Sequence, residues 1–262
     1  MTDFYDAQHK ASQQLNGEKH SSFATYLPSV PVTVERKPYL PKSDDGIQNL
    51  GTARANIAAD EEHPNGTTED GYAESRRNRS VLQQHCDYWD TDNDGVIWPQ
   101  DTYYGCRRFG WNPFLSLLAV YFINVGLSYP TCPGILPDPF FRIYTARIHK
   151  DKHGSSTRTY DNEGRFKPQS FEDIFSKYDR GNKGGLTLGD IWALHKGQRM
   201  VFDFFGWFAV FLEWLATYLL IWPEDGIMKK EDIRGIYDGS IFYKKAEEVH
   251  RRKQKLQERR LD

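Results

Sequence analysis

Cysteine is scarce in this sequence: Cys86, Cys106 and Cys132 are the only three among 262 residues. Three cysteines cannot close a paired framework, and no CxxC spacing offers a zinc site or redox pair, so a reducing compartment is expected. Charge of one sign is equally lacking. With 34 basic and 36 acidic residues the formal net charge is -2, which gives no argument for nucleic acid or for any strongly charged partner. The N-terminus, Met1-Thr2-Asp3-Phe4-Tyr5-Asp6, lacks the basic, apolar and small-residue order of a signal peptide, and secretion is not expected. Methionine is down to three residues, few for the Met-rich groove of a calcium sensor that grips partner helices. Material for a core is not lacking: 39% of residues are hydrophobic and 15% aromatic, ample for a chain of this length.

Residues 1–75, rich in Pro, Ser, Asp and Glu, predict an extended polar arm lying on the rest of the molecule. From Ser80 the pattern changes. Val81-Leu82-Gln83-Gln84-His85-Cys86-Asp87-Tyr88-Trp89 places apolar residues at helical spacing behind a serine cap, and a second helical pattern runs through Tyr103, Tyr104, Cys106 and Phe109. Between them Asp90, Asp92 and Asp94 occupy positions 1, 3 and 5 of a cation loop, Gly95 the sharp turn at 6 and Ile97 the apolar position 8. Val96 adds a carbonyl, and Asp101 stands at position 12. Helix, loop and helix together predict an EF-hand for Ca2+. Glutamate ordinarily supplies two oxygens at position 12, so Asp101 predicts weaker calcium affinity and poorer discrimination against magnesium. The Gly95, Ile97, Asp101 spacing recurs as Gly184, Leu186, Asp190 and as Gly226, Met228, Asp232. The middle copy begins at Asp179 but carries Gly181 and Lys183 at the next ligand positions; the last carries Ile221 and Pro223. Both read as scaffold without calcium, the middle copy as the structural mate of the functional loop.

Two aromatic-rich apolar stretches remain. Phe114–Tyr129, interrupted by Asn124 and Ser128 and broken at Pro130, spans about 24 Å as a helix, short of the roughly 30 Å hydrocarbon core of a bilayer. It reads as a buried helix followed by a proline-bent turn, seated in protein or in the surface of a lipid layer. Val201–Trp222 is long enough to cross a membrane, but Asp203 and Glu213 would be costly in hydrocarbon, so it too reads as a buried helix. The segment from Tyr243 is charged and helical, a solvated face. By residue type alone, a lone histidine is more often structural than a ligand. His149 and His153, four apart, could share a helical face as a metal pair, though no third zinc ligand is evident.

Val81-Leu82-Gln83-Gln84-His85 leading into one calcium loop, Pro133-Gly134-Ile135-Leu136-Pro137-Asp138-Pro139-Phe140-Phe141, Ile148-His149-Lys150-Asp151-Lys152-His153-Gly154-Ser155 and Thr159-Tyr160-Asp161-Asn162-Glu163-Gly164-Arg165-Phe166 resemble the caleosin family in the same order. The likeness runs from about Pro31 to about Val249. It implies a mainly α fold with EF-hand-like helix-loop-helix units, a hydrophobic helix with a proline knot, and an extended N-terminal arm. The expected division is arm 1–75, EF-hand 76–110, hydrophobic segment with proline knot 111–141, C-terminal haem and lipid region 142–250, and charged tail 251–262. Asp138 departs from the family, where a small residue is often seen.

The resemblance further implies haem b held at His85 and His153, which would also be the catalytic residues, with neither assigned as the axial ligand. Their reaction would be transfer of oxygen from a fatty-acid hydroperoxide to an unsaturated fatty acid, at the cytosolic face of lipid droplets and the endoplasmic reticulum. Because His85 lies on the helix entering the calcium loop, calcium is expected to fix the angle of that helix. A non-enzymatic, calcium-responsive droplet coat protein is the alternative. A homo-oligomer is compatible with either.

Overall fold

The structure is a computed structural model that describes residues 56–261; most of the expected arm, residues 1–55, lies outside the described residues. It is mainly helical, as expected. A 3-10 turn, Glu69–Gly71, precedes α1 (Tyr72–Ser75). There follow α2 (Val81–Asp87), β1 (Val96–Ile97), α3 (Pro99–Arg108), α4 (Pro113–Thr131), β2 (Ile143–Tyr144) and a 3-10 helix over Thr145–Asp151. The chain continues through α5 (Pro168–Tyr178), β3 (Gly185–Leu186), α6 (Leu188–Gln198), α7 (Phe204–Ile221), β4 (Met228–Lys229), α8 (Lys230–Asp238) and α9 (Ser240–Leu261). Local chemistry sets the starts. Ser80 accepts from the Gln83 amide at 3.3 Å while the Gln83 side chain takes the Ser80 N–H at 3.0 Å, a reciprocal cap that opens α2. Proline occupies the first position of α3, α4 and α5, where its missing N–H costs nothing.

The strands join the loops in twos. β1 pairs antiparallel with β2, Val96 opposite Tyr144 and Ile97 opposite Ile143; β3 pairs with β4, Gly185 opposite Lys229 and Leu186 opposite Met228. The degenerate middle loop is therefore the mate of the last loop, not of the acidic loop, which corrects the sequence expectation. The mate of the acidic loop is the proline-rich segment between α4 and the 3-10 helix. Units adjacent in the chain pair, and this one carries neither the glycine nor the aspartate of the repeat, so spacing did not reveal it. Asp138 holds its shape. Its carboxylate accepts from Arg142 Nε at 2.7 Å, the Phe140 amide at 2.9 Å and the Tyr144 hydroxyl at 3.2 Å. Those partners outweigh burial and keep the group below the ordinary carboxylate range.

A large core joins Val81, Phe109, Phe171, Leu194, Met228 and Ile233; a smaller one of Cys86, Ile97, Ile143 and Ile148 packs α2, both strands of the first pair and the 3-10 helix together. The two apolar helices are less buried than expected. α4 runs through Pro130 to Thr131, the proline giving up its bond to the carbonyl four residues back in the last turn. Both α4 and α7 are long and apolar enough to cross a membrane by length and composition, with only 22% and 33% of their apolar stretches buried. The buried-helix reading is corrected accordingly: each shows one face to the core and one outward.

Candidate functional site

The acidic loop forms as spacing predicts. Asn93 and Gly95 take left-handed backbone, φ 57° and 82°, so the chain doubles back and brings the side-chain oxygens of Asp90, Asp92 and Asp94 within 4.8 Å of one another. Asp90 is buried and accepts the Gly95 amide through Oδ2 at 3.0 Å, while its Oδ1 is buried without a partner. Asp94 accepts the Val96 amide at 2.7 Å, and Val96 itself lies on the strand bridge. Burial, then the neighbouring Asp94 and Asp92 charges, raise the Asp90 carboxyl above its usual range against the pull of the Gly95 amide. A cluster of hard oxygens that raises its own proton affinity is suited to a cation. Asp101 stands apart from the cluster, its Oδ2 accepting the Trp98 amide at 2.8 Å.

His85 sits on α2, directly upstream of that loop. Its Nδ1 lies 2.6 Å from the Ile236 carbonyl of α8. A carbonyl only accepts, so Nδ1 carries the proton and Nε2 the lone pair. Burial is the first cause that lowers the His85 pKa, against the raising effect of the Ile236 carbonyl and of the Glu213 and Asp238 charges. The neutral form of the ring is favoured. Phe242 meets it edge-on at 5.1 Å, and the turn after α8 approaches so closely that a Cβ on Gly239, φ 81°, would fall 2.8 Å from the His85 Cα. Only glycine serves there.

His153 follows the 3-10 helix. Its Nε2 lies 3.2 Å from Glu213 of α7, while Nδ1 is buried without a partner. Burial opposes charge on this ring, but the hydrogen bond and charge of Glu213, with Asp203 and Asp151 behind, outweigh it and raise the pKa. The same Glu213 acts electrostatically on both His85 and His153. His149 lies within the 3-10 helix and His153 beyond it, so the two do not share an α-helical face, and the metal pair is withdrawn. His195 is stacked on Trp192 instead.

Three acidic residues escaped the sequence reading as functional. Asp203 accepts the Ser155 amide at 2.6 Å and hydroxyl at 2.7 Å while capping the Gly206 amide at 3.0 Å, which pins the turn after His153 to the start of α7. Glu213 then meets the ring. Asp151 is pushed up to about 7, first by burial and then by Glu213, against His153. The missed signal was the pair of carboxylates inside an otherwise apolar stretch.

A family model described as caleosin related protein matches residues 77–246. A peroxygenase of Lilium longiflorum is 42% identical over 221 residues, 84% of this chain and 90% of its own length. A probable peroxygenase 4 of Arabidopsis thaliana is 37% identical over 165 residues, 63% of this chain and 85% of that one. A probable inactive peroxygenase-like protein of Arabidopsis thaliana is 34% identical over 142 residues, 53% and 66% of the two chains. No solved structure matches.

Proposed function

We propose, from the premise that the chain belongs to the caleosin family, that it is a calcium-binding haem peroxygenase. It passes oxygen from fatty-acid hydroperoxides to unsaturated lipids, at the surface of lipid droplets and the endoplasmic reticulum. The observation that carries this reading is the histidine pair. Two imidazole nitrogens, His85 Nε2 and His153 Nδ1, are left with lone pairs, each ring being oriented by a fixed partner on its other nitrogen. That donor chemistry fits a haem iron and a peroxide beside it. When bound, haem supplies the iron at which the O–O bond is cleaved and oxygen transferred. Haem titration followed at the Soret band, with cumene hydroperoxide-driven oxygenation as readout, tests it. Absence of haem binding by folded, calcium-loaded protein would leave the droplet coat protein as the better account.

The two rings take different parts. His85, half-buried and locked through Nδ1 on the Ile236 carbonyl, would be the iron ligand. His153, whose proton affinity is raised by Glu213, accepts the hydroperoxide proton at Nδ1 and returns it to the departing alkoxide. Glu213 positions it. The Glu213→Gln variant keeps an acceptor but removes the charge, and is expected to lower kcat about tenfold with little change in KM. The acid limb of its pH profile moves to lower pH, because the His153 pKa falls with the charge. An unmoved profile would show that Glu213 has no part in the reaction.

The Asp90, Asp92 and Asp94 cluster and the Val96 carbonyl make up the calcium site, which Asp101 joins with the oxygen that the Trp98 amide does not hold. Asp101→Glu reaches one methylene further and is expected to tighten calcium about tenfold by calorimetry. The pH dependence has a definite sign. The ion requires Asp90 deprotonated and its carboxyl is raised in the free loop, so affinity is full at neutral pH and falls as pH drops through that raised value, earlier than for an ordinary carboxylate. Unchanged affinity down to the normal aspartate range would remove Asp90 from the ligand set.

A further inference from the structure

The lipid-associated reading calls on α4 and the proline segment, but the most exposed aromatic, Phe202, lies elsewhere. We propose that the turn before α7 and the outer face of that helix form a second lipid-contacting surface, with a basic rim for anionic headgroups. The proposal rests on the lipid association proposed above. Phe202 and Val201 are 81% and 78% exposed, and Phe204, Phe208, Phe211 and Leu215 recur every three or four residues along one exposed face of α7, while Gly206, Val210 and Trp214 turn inward. Contiguous apolar exposure of this kind marks a binding surface.

Four further observations choose the occupant. The face adjoins the exposed stripe of α4: the Phe122 and Phe208 rings meet at 5.8 Å, so a layer that reaches one helix reaches the other. Phe202 is also held at φ 61°, a left-handed conformation that bulky residues rarely adopt and that here gains no burial in the free chain. Around the apolar end stands positive charge. Arg158 NH2 lies 3.7 Å from Met200 Sδ, Arg199 sits 5.1 Å over the Trp207 ring, and Lys196 6.0 Å over Trp192. Asp203, the acid nearest this end, spends its oxygens on Ser155 and Gly206. Tryptophan beside arginine and lysine at the edge of an apolar face is the arrangement that seats at a headgroup boundary. Phe205 also lies 6.5 Å from the His153 ring, so the surface that touches lipid leads to the proposed catalytic histidine.

Full-length protein sedimented with vesicles of phosphatidylcholine containing about 20% phosphatidylserine tests the surface. Phe202→Gln with Phe204→Gln is expected to weaken partitioning about a hundredfold, as removal of two inserted aromatic side chains requires, with the circular dichroism spectrum unchanged. Arg158→Gln with Arg199→Gln is expected to weaken it about tenfold on these vesicles and not on pure phosphatidylcholine. Ile135→Gln with Leu136→Gln reports the proline segment separately. If the phenylalanine variant partitions like wild type while the proline-segment variant falls, the α7 surface is refuted and the lipid reading stands. If wild type itself does not partition, both fail. Arginine variants that bind equally well on anionic vesicles would remove the basic rim.

Discussion

Replacing His85 by alanine is expected to abolish the Soret band of the haem-loaded protein and to lower hydroperoxide-driven oxygenation by about 10³-fold or more. Among the described residues His85 is the one histidine whose tautomer is set by a backbone carbonyl, Ile236 on α8, and desolvation lowers its pKa; both conditions favour a metal ligand. The imidazole is half-buried and meets Phe242 only edge-on, and an unchanged circular dichroism spectrum of the variant would show that the loss reports on haem. His153→Ala provides the contrast. It is expected to keep the Soret band and to lose about 10²-fold in turnover, because it removes a proton acceptor and leaves the iron ligand. Haem retained by His85→Ala and lost by His153→Ala would reverse the assignment.

Arg234→Ala is expected to cost about 3–5 kcal/mol of stability and to lower Tm by about 10 °C. The guanidinium is 1% exposed. It donates to Glu231 from Nε and NH2 at 2.7 and 2.6 Å, and through NH1 to the Ala58 carbonyl at 3.0 Å and Asp238 at 3.4 Å. Removing it leaves Asp238 buried with Thr67 and Ser240 as its donors among the described residues. Burial already raises the Asp238 carboxyl, with Arg234 the main influence lowering it. The variant therefore raises it further, and a raised aspartate opposes folding while ionised. The destabilisation is greatest at neutral pH and shrinks as pH falls through the raised value. Arg234→Met combined with Asp238→Asn should recover much of the loss, since the neutral pair leaves no buried charge. Thermal melts at pH 5 and pH 8 check both statements; a loss independent of pH would show that packing, not charge, is at stake. Because α8 also presents the Ile236 carbonyl, Arg234→Ala should loosen haem as well.

The legible parts of the site were those written within a few consecutive residues. Asp90, Asp92, Asp94 and Gly95 alternate in a pattern that a tight loop alone converts into converging oxygens, and Ser80 with Gln83 announces the helix that leads there. Asp101 matched its loop position, yet its carboxylate turns to the Trp98 amide. The outcome depended on side-chain reach, which spacing does not encode. The apolar helices were legible as helices, but their burial was not: composition gives the hydrophobicity of α4 and α7, whereas which face meets the core depends on partners distant in sequence. Glu213 and Asp203 were read as costs within an apolar helix, because their partners His153 and Ser155 lie some 50 to 60 residues away.

By itself the sequence determined the mainly helical fold, the acidic loop, the starts of its helices and the family to which the chain belongs, for each of these is carried by local pattern or by long motifs in order. Tertiary structure alone decided that the proline-rich segment is the mate of the acidic loop. It alone decided that the Ile236 carbonyl meets one histidine and Glu213 the other, and that α4 and α7 turn aromatic faces outward. The reason is common to all three. A strand bridge, a hydrogen bond to a distant backbone carbonyl and a buried helix face are relations between residues far apart in the chain, set by the packing of whole elements against one another.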